Sequence, residues 1–355
     1  MKKKIRILIV DDSALVREIL SENFSKDPEL EVVGTASDPY QARDILVIEK
    51  PDVMTLDIEM PRMDGITFLK LFMRVIPTPT IIVSALTERN KRLTMDALEA
   101  GAVDIVPKPK SGLVDSFPLM MTDLIRKVKI AATVNVSKFQ KTSKEIIQTP
   151  NNLGMKPLDE STDRVIAIGS STGGTEALAR ILPVFPAACP GIVIVQHMPA
   201  DFTASLAERL DRLSQMAVKE AKNGDRVISG QILIAPGGTQ HMKVQRYGGQ
   251  YRVNLVDGDP VSSHRPSVDV LFQSVAKAAG KNVVAALLTG MGKDGAQGLL
   301  EIKNAGGRTF VQDERTSVVW GMPKVAWQMN AAEAMVSLEN IPRTIIKAMK
   351  QSLDN

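Results

Sequence analysis

A row of hydroxyl side chains between glycines is the part of the sequence best suited to covalent chemistry. Residues 169–173, GSSTG, follow the apolar run 164–169 and precede a helix-like segment. They match G-x-S-x-G, the nucleophile elbow in which glycines allow a sharp turn that exposes a serine. Ser171 is therefore a candidate nucleophile. Ser170 and Thr172 carry hydroxyls as well, and an ordinary turn with an N-cap hydroxyl has the same composition.

The same loop fails both phosphate-binding patterns. A P-loop needs G-x-x-x-x-G-K-[ST]; Gly169 and Gly174 have its spacing, but Thr175 stands where the lysine belongs. A dinucleotide-binding loop needs G-x-G-x-x-G, which GSSTGG does not provide. Only a loose anion site at a helix N-terminus remains from the phosphate hypothesis.

A serine nucleophile needs a base, and the chain has three histidines. His197 directly follows the strand-like run GIVIVQ, and His241 follows QILIAPGGTQ, so both are expected at the carboxyl edge of a sheet. His264 lies in SSHRPSVD and is expected to be a loop residue or to begin a helix.

The base needs a carboxylate that orients its ring. Asp294 lies in LLTGMGKDGAQG just beyond a predicted strand, although it could instead cap a helix over 295–304. Spacing leaves Asp257, Asp259 and Asp313 as alternatives.

A second group of polar residues follows the predicted strands of the N-terminal half. Asp11 and Asp12 follow the first, Asp57 the third, Ser84 ends the fourth and Lys108 follows the fifth. Ligands of open α/β sheets bind at this carboxyl edge. Clustered carboxylates favour Mg²⁺, and the lysine and hydroxyl could bind a phosphoryl group.

The elements that position both groups alternate between strand and helix in two halves. The predicted strands are 5–10, 31–36, 52–56, 80–85 and 103–106, then 164–169, 191–195, 231–236, 282–289 and 308–311. Short apolar runs joined by helices predict an α/β fold with parallel sheets. Two alternating runs around Gly248–Gly249 predict an antiparallel hairpin added to the second, Rossmann-like sheet.

The predicted organisation is a domain at 1–125, a polar, partly helical linker at 126–163 and a domain at 164–350. The net charge of +4 is dispersed and aromatic residues make up only 4%, which disfavours nucleic-acid binding. The apolar runs are too short to insert into a membrane, and the start does not read as a signal peptide. The single Cys189 fits a reducing cytoplasm.

Residues 4–125 resemble the receiver domain of two-component response regulators, which is flavodoxin-like. The resemblance is carried by VDDS (10–13), TLDIEMPRMDG (55–65), VSALT (83–87) and PKP (107–109). It implies that Asp57 is phosphorylated and that Ser84 and Lys108 contact the phosphoryl group. It also implies a Mg²⁺ site formed by Asp12, Asp57, the carbonyl of Glu59 and, through water, Asp11. Ile105 departs from the family, which often has an aromatic switch residue there.

Residues 164–350 resemble the catalytic domain of the chemotaxis protein-glutamate methylesterase family. The matching segments are AIGSSTGGTEAL, VQHMPADFT, APGGTQHM, HRPSVDVLF and LTGMGKDGAQG. The resemblance implies that Ser171 is the nucleophile, His197 the base and Asp294 the orienting carboxylate. It further implies that the backbone N–H of Met291, with Thr172 nearby, binds the oxyanion.

The family resemblance thus implies a cytoplasmic serine hydrolase that demethylates glutamate γ-methyl esters on chemoreceptors and deamidates receptor glutamines. The chemotaxis histidine kinase is the expected phosphodonor, and no cofactor is expected in the catalytic half. Two alternatives stay open: a non-catalytic response regulator whose second domain binds an anion or partner, and a broad α/β-hydrolase-type esterase.

Overall fold

A computed structural model describes residues 3–85, 87–109, 113–134, 136 and 163–351. The chain divides into two compact units, Met1–Ile147 and Gln148–Asn355. Most of the predicted linker 126–163 lies outside the described residues. Its first part belongs to a helix that continues to Ala131.

The N-terminal unit is a five-stranded parallel sheet with strand order β2-β1-β3-β4-β5. Its strands are β1 Ile5–Val10, β2 Leu30–Ala36, β3 Val53–Leu56, β4 Thr80–Ala85 and β5 Asp104–Lys108. Its helices are α1 Ala14–Ser25, α2 Pro39–Glu49, α3 Gly65–Phe72, α4 Glu88–Glu99 and α5 Leu113–Ala131. All five predicted strands are present, and the order is that of a flavodoxin-like fold.

The first three helices of this unit begin at side-chain caps. Ser13, Asp38 and Asp64 precede α1, α2 and α3, and each accepts a hydrogen bond from a backbone N–H of the first turn. Such caps satisfy donors that have no partner within the helix. They fix where the loops at the carboxyl edge of the sheet end.

The C-terminal unit is built on a seven-stranded parallel sheet with order β14-β13-β12-β6-β7-β9-β8. Its strands are β6 Val165–Ser170, β7 Ile192–Gln196, β8 Ala217–Glu220, β9 Gln231–Ile234, β12 Val283–Leu287, β13 Arg308–Gln312 and β14 Ala334–Val336. Its helices are α6 Gly174–Ile181, α7 Ala200–Leu213, α8 Val268–Ala279, α9 Ala296–Asn304, α10 Met322–Gln328 and α11 Ile341–Gln351. Short 3₁₀ turns span Leu182–Val184, Gly280–Asn282 and Leu338–Asn340.

The predicted hairpin is present as β10 Gln240–Tyr247 and β11 Gln250–Asp257. It pairs as a separate two-stranded sheet rather than extending the parallel one. The prediction omitted β8 and β14, which are the two edge strands of the large sheet. They are short and partly exposed, so their residues lack the unbroken apolar pattern by which the central strands were found.

The core of the C-terminal unit joins the sheet, the hairpin and α8. Val165, Ala167, Val193 and Leu233 contribute from the central strands, and all are fully buried. This packing places the start of α8 beside the carboxyl ends of β6, β7 and β12. No helix among the described residues is long and apolar enough to cross a membrane.

Candidate functional sites

His197 and Asp294 meet at the carboxyl edge of the seven-stranded sheet. His197 directly follows β7, and Asp294 lies in the loop between β12 and α9. The Nε2 atom of His197 is 2.8 Å from Oδ2 of Asp294, and the side chains are 5% and 1% exposed. A carboxylate can only accept a hydrogen bond, so Nε2 carries the proton and the neutral ring has its lone pair on Nδ1.

The carboxylate of Asp294 is held in turn by the N-terminus of α8. Its Oδ1 atom accepts from the Ser267 hydroxyl at 2.7 Å and from the Asp269 N–H at 3.1 Å, while Oδ2 accepts from the Val268 N–H at 2.7 Å. A helix N-terminus favours a negative charge. Burial would raise the pKa of Asp294, but the bonds and charge of His197, with Ser267 and Val268, bring that pKa below its usual value.

Asp269 lies beside this carboxylate with the opposite tendency. Burial raises the pKa of Asp269 to about 6, and the neighbouring charge of Asp294 adds to the rise. The Asp269 carboxyl accepts from the Gly298 N–H at 2.7 Å. The proton of this pair therefore resides on Asp269 at mildly acidic pH, and Asp294 stays ionised to orient His197.

Ser171 stands in the sharp turn between β6 and α6. Its N–H donates to the Thr289 carbonyl at 3.0 Å, and its carbonyl accepts from the Gly174 N–H at 2.7 Å. Gly173 caps the helix with a φ of +77°, a conformation that disfavours other residues. The strand, turn and helix expected around Ser171 are thus present.

Gln196 links the Ser171 turn to His197. Its Nε2 atom donates to the carbonyls of Ser171 at 2.9 Å and of His197 at 3.0 Å, while its Oε1 accepts from the Ser170 hydroxyl at 2.7 Å. Ser170 is fully buried in this bond. The Gln196 bonds give Ser170 a structural role, and sequence inspection overlooked Gln196 because a strand-terminal glutamine carries no motif.

Ser171 and His197 lie on adjacent strand ends without a hydrogen bond between their side chains. The His197 N–H donates to the carbonyl of Ser170 at 3.0 Å, which brings the two segments together. The Nδ1 atom of His197 is buried and has no hydrogen-bond partner among the described residues. This is the nitrogen with the free lone pair. Bonds of this kind are often long without substrate and shorten when it binds.

The loop that carries Met291 packs against the Ser171 turn. Thr289, at its start, donates its hydroxyl to the Thr172 carbonyl at 3.0 Å. A Cβ atom on Gly290 would lie 2.7 Å from Cβ of Ser171, so only a glycine permits this approach. Met291 follows directly, so the close approach of Gly290 brings this part of the loop to the Ser171 turn.

The alternative acids and the alternative base have other positions. Asp257 is exposed, Asp313 holds its own loop by accepting from the Thr316 N–H at 2.9 Å, and Asp259 offers its carbonyl to His241 Nε2 at 2.9 Å. The Nδ1 atom of His241 accepts from the backbone N–H that precedes α8, at 3.1 Å. Both nitrogens of this buried ring are engaged, so His241 braces the helix start.

His264, expected only as a loop residue or a helix start, reaches the site as well. Its ring stacks on the ring of His197 with centroids 3.7 Å apart and planes 6° apart. The residue lies in a loop, as expected, but the contact joins positions 67 residues apart and no motif spacing reports it. Ligand atoms of His197, His264 and Asp294 lie within 4.8 Å of one another. The nitrogen lone pairs of an imidazole lie in the plane of its ring, so those of two parallel stacked rings do not converge on one point. His197 and His264 are therefore poorly arranged to bind one metal ion together.

The N-terminal unit gathers its acidic residues at the carboxyl edge of its sheet. Ligand oxygens of Asp11, Asp12 and Asp57 lie within 4.8 Å of one another. Lys108 Nζ is 2.5 Å from Asp57 and 2.7 Å from Asp11. Ser84 is buried, and its hydroxyl has no hydrogen-bond partner among the described residues.

Asp11, Asp57 and Lys108 are largely shielded from water. Burial raises the pKa of Asp57 to about 6, even though Lys108 acts to lower it. Burial also raises the pKa of Asp11. Burial would lower the pKa of Lys108, but the two carboxylates outweigh it and raise that pKa. Such a set of carboxylate oxygens suits a hard divalent cation. Because Asp12 is exposed, the pocket is open to solvent on that side.

Ile105, the position without an aromatic ring, is buried in β5. Its carbonyl accepts from the buried Nζ of Lys127 at 2.6 Å, and the same amine lies 2.9 Å from Asp104. The strand is thus tied to α5 by a partly buried ion pair. The bond uses only the backbone carbonyl of Ile105, so the side chain of this residue serves the packing of β5.

The sheet order and acidic pocket of the first unit are those of a response-regulator receiver, and the second unit carries the groups of a serine hydrolase. The protein is therefore a response regulator with an enzyme domain. Residues 7–115 match the response regulator receiver domain family, and residues 166–345 match the CheB methylesterase family. The chain belongs to the CheB methylesterase family.

Relatives match over the whole length of the chain. A protein-glutamate methylesterase/protein-glutamine glutaminase of Syntrophotalea carbinolica is 52% identical over 99% of both chains. One of the same name from Sulfurimonas denitrificans is 50% identical over 98% of this chain and 99% of its own. The crystal structure of the Thermotoga maritima CheB methylesterase catalytic domain covers 52% of this chain and 97% of its own, with 39% identity and a TM-score of 0.51.

Proposed function

We propose that this chain hydrolyses glutamate γ-methyl esters on chemoreceptors in the cytoplasm and releases methanol, under control of phosphorylation at Asp57. The observation that carries the catalytic part is the His197–Asp294 pair beside the Ser171 turn. The acidic pocket carries the regulatory part. The names of the relatives support the substrate class.

Ser171 attacks the ester carbonyl, and the arrangement of His197 decides which nitrogen helps it. Since Nε2–H is bound to Asp294, the proton of the serine hydroxyl must go to Nδ1. That atom is buried and unpartnered among the described residues, so no competing bond has to break. The imidazolium that forms is stabilised by the ionised Asp294.

The tetrahedral intermediate carries its negative charge on the former carbonyl oxygen. We assign its hydrogen bond to the backbone N–H of Met291, with Thr172 in support, because both segments lie against the Ser171 turn. The intermediate collapses when His197 returns the proton to the departing methoxide. Methanol leaves and a glutamyl ester of Ser171 remains.

Water completes the cycle through the same groups. His197 takes a proton from water, the hydroxide attacks the acyl-enzyme, and Ser171 leaves with the proton that His197 returns. The product is a free glutamate side chain. A receptor glutamine can follow the same steps with ammonia as the leaving group, since attack again occurs at a γ-carbonyl.

The receiver supplies the control. Asp57 is the proposed phosphate acceptor, and Lys108 and the unpartnered hydroxyl of Ser84 are placed to contact the phosphoryl group. The residues fit Mg²⁺, which Asp11, Asp12, Asp57 and the carbonyl of Glu59 would hold and which would neutralise the crowded negative charge. The chemotaxis histidine kinase is the proposed donor.

The decisive experiment measures methanol release from chemoreceptors bearing labelled methyl esters. It compares the full chain with and without a small phosphodonor and Mg²⁺, and includes Ser171→Ala as the inactive control. We expect release that the phosphodonor increases. No release in either condition would favour a non-catalytic regulator, and rapid hydrolysis of small aryl esters without preference for receptors would favour a broad esterase.

A further inference from the structure

The ring of His264 lies flat on the ring of His197. The centroids are 3.7 Å apart and the planes are 6° from parallel, so the two imidazoles overlap over their faces. Among the described residues the ring of His197 makes one hydrogen bond, from Nε2 to Asp294. A single hydrogen bond at one edge does not fix rotation about that bond, so this freedom has to be restricted by what packs on the faces of the ring. A flat partner on its face removes this freedom.

The loop that presents His264 is tightly constrained. Val261 and His264 exchange both backbone hydrogen bonds, at 3.1 and 2.9 Å, around the two residues Ser262 and Ser263. These serines have φ values of +51° and +65°, in the left-handed region that glycine usually occupies. Such conformations persist where surrounding contacts impose them, often at functional sites.

The His264 ring is itself fixed within this turn. Its Nδ1 atom is 2.7 Å from the carbonyl of Ser262, and because a carbonyl only accepts, Nδ1 carries a proton. Arg265, the next residue, donates to the carbonyls of Gly238 at 3.0 Å and Gly258 at 2.6 Å. The turn therefore has anchors on both sides, and the ring plane it offers to His197 is set by the backbone.

We propose that His264 is a positioning residue that holds the His197 ring so that Nδ1 faces the Ser171 hydroxyl. The inference rests on the proposed function, since it concerns the proton transfer from Ser171. The stack leaves both edges of the His197 ring untouched, so Nδ1 and Nε2 keep their roles. Its face also remains against a π system while His197 is positively charged, which is favourable.

The first test uses the three histidines of the chain as spectroscopic probes. Ring nitrogen resonances of the ¹⁵N-histidine-labelled full chain, assigned with single variants, report the tautomer and environment of His197. In His264→Ala we expect His197 to lose its single Nε2–H signature and show exchange between orientations. In His264→Phe, which keeps a flat ring, we expect the wild-type signature. An unchanged His197 spectrum in His264→Ala would overturn the proposal, and this readout does not depend on the substrate.

The second test is receptor demethylation by the full chain. We expect His264→Ala to lower kcat by about 10²-fold with little change in KM, the scale on which misplacing a reacting group acts. His264→Phe should restore most of the rate, and Val261→Ala, whose half-exposed side chain lies in the same turn, should match the wild type. In a His197→Ala background, His264→Ala should have no further effect.

The outcomes separate the two proposals. A wild-type chain that releases no methanol would refute the proposed function, whatever the spectra show. An active wild type with full activity in His264→Ala would refute the role of His264 alone. A rise in KM with kcat unchanged would also refute it, because that result assigns His264 to receptor binding.

Discussion

Three neighbouring hydroxyls have different surroundings in this molecule. Ser170 is fully buried and donates to Gln196, Ser171 lies in the turn, and the Thr172 carbonyl accepts from Thr289. Of the three hydroxyls, that of Ser170 is therefore tied into the framework of the site. Ser171 is held in the turn through its backbone N–H and carbonyl.

Ser171→Ala should lower receptor demethylation by about 10⁴-fold or more, because it removes the attacking oxygen. Ser170→Ala is the matched control, since it deletes a hydroxyl one residue away. It should keep most of the rate and lower the free energy of unfolding by about 1–3 kcal/mol, because the buried Oε1 of Gln196 loses its donor. Rates and urea unfolding midpoints check both. An inactive Ser170→Ala beside an active Ser171→Ala would move the nucleophile by one residue.

Asp269→Asn should change how the stability of the C-terminal unit depends on pH. The pKa of Asp269 is raised from 3.8 to about 6, so its charged form is disfavoured in the folded state. Its contribution to stability is fully present below pH 3.8 and is lost as pH rises through 6, by on the order of 3 kcal/mol. An asparagine resembles the protonated acid and remains uncharged.

The expected result is that Asp269→Asn gains stability relative to the wild type as pH rises from about 4 to 7. Urea unfolding followed by tryptophan fluorescence measures it, because Trp320 and Trp327, the two tryptophans of the chain, lie in this unit. A difference in the free energy of unfolding that stays constant over this pH range would contradict the assignment of the proton to Asp269.

The N-terminus of helix α8 fixes the position of the Asp294 carboxylate. Two backbone N–H groups and the N-cap hydroxyl of Ser267 all donate to it. His241 supports the same helix start by accepting from Ser267 N–H. The His197–Asp294 pair therefore depends on an element to which neither residue belongs.

Ser267→Ala should lower kcat by about tenfold and the free energy of unfolding by about 1 kcal/mol, because it deletes both the helix cap and a bond to Asp294. Ser13→Ala is the matched control, since Ser13 caps α1 in the other unit. It should cost similar stability without changing demethylation measured in the absence of phosphodonor. Equal kcat losses in both variants would show that the effect of Ser267 is not specific to Asp294.

Under the proposed function, phosphorylation in the N-terminal unit controls the esterase activity of the C-terminal unit. Asp57→Asn should give a folded chain whose demethylation no longer responds to phosphodonor and Mg²⁺, because the amide cannot accept the phosphoryl group and is a weaker ligand. Basal activity should remain. Asp44→Asn, an exposed change on α2, is the control and should respond like the wild type. A full response in Asp57→Asn would place the phosphorylation site elsewhere.

The α/β class, the central strands and the hairpin could be predicted from residue patterns alone. Buried parallel strands are unbroken apolar runs, and a Gly-Gly turn separates the two alternating runs of the hairpin. The same patterns placed Ser171, Asp57 and the acidic cluster at strand ends, because each of these residues follows a predicted strand and therefore lies at the carboxyl edge of a sheet. They did not reveal β8 and β14, whose burial is incomplete at the edges of the sheet.

Spacing alone left several carboxylates and histidines open, the family resemblance named His197 and Asp294, and the three-dimensional structure shows these two in contact. Asp294 rather than Asp313 meets His197, and the N-terminus of α8 holds that carboxylate, through contacts between residues that are distant in the chain. The stack of His264 on His197 and the brace by His241 are of the same kind. Local sequence patterns report periods of a few residues, whereas these contacts arise where separate elements pack, so no spacing in the sequence could specify them.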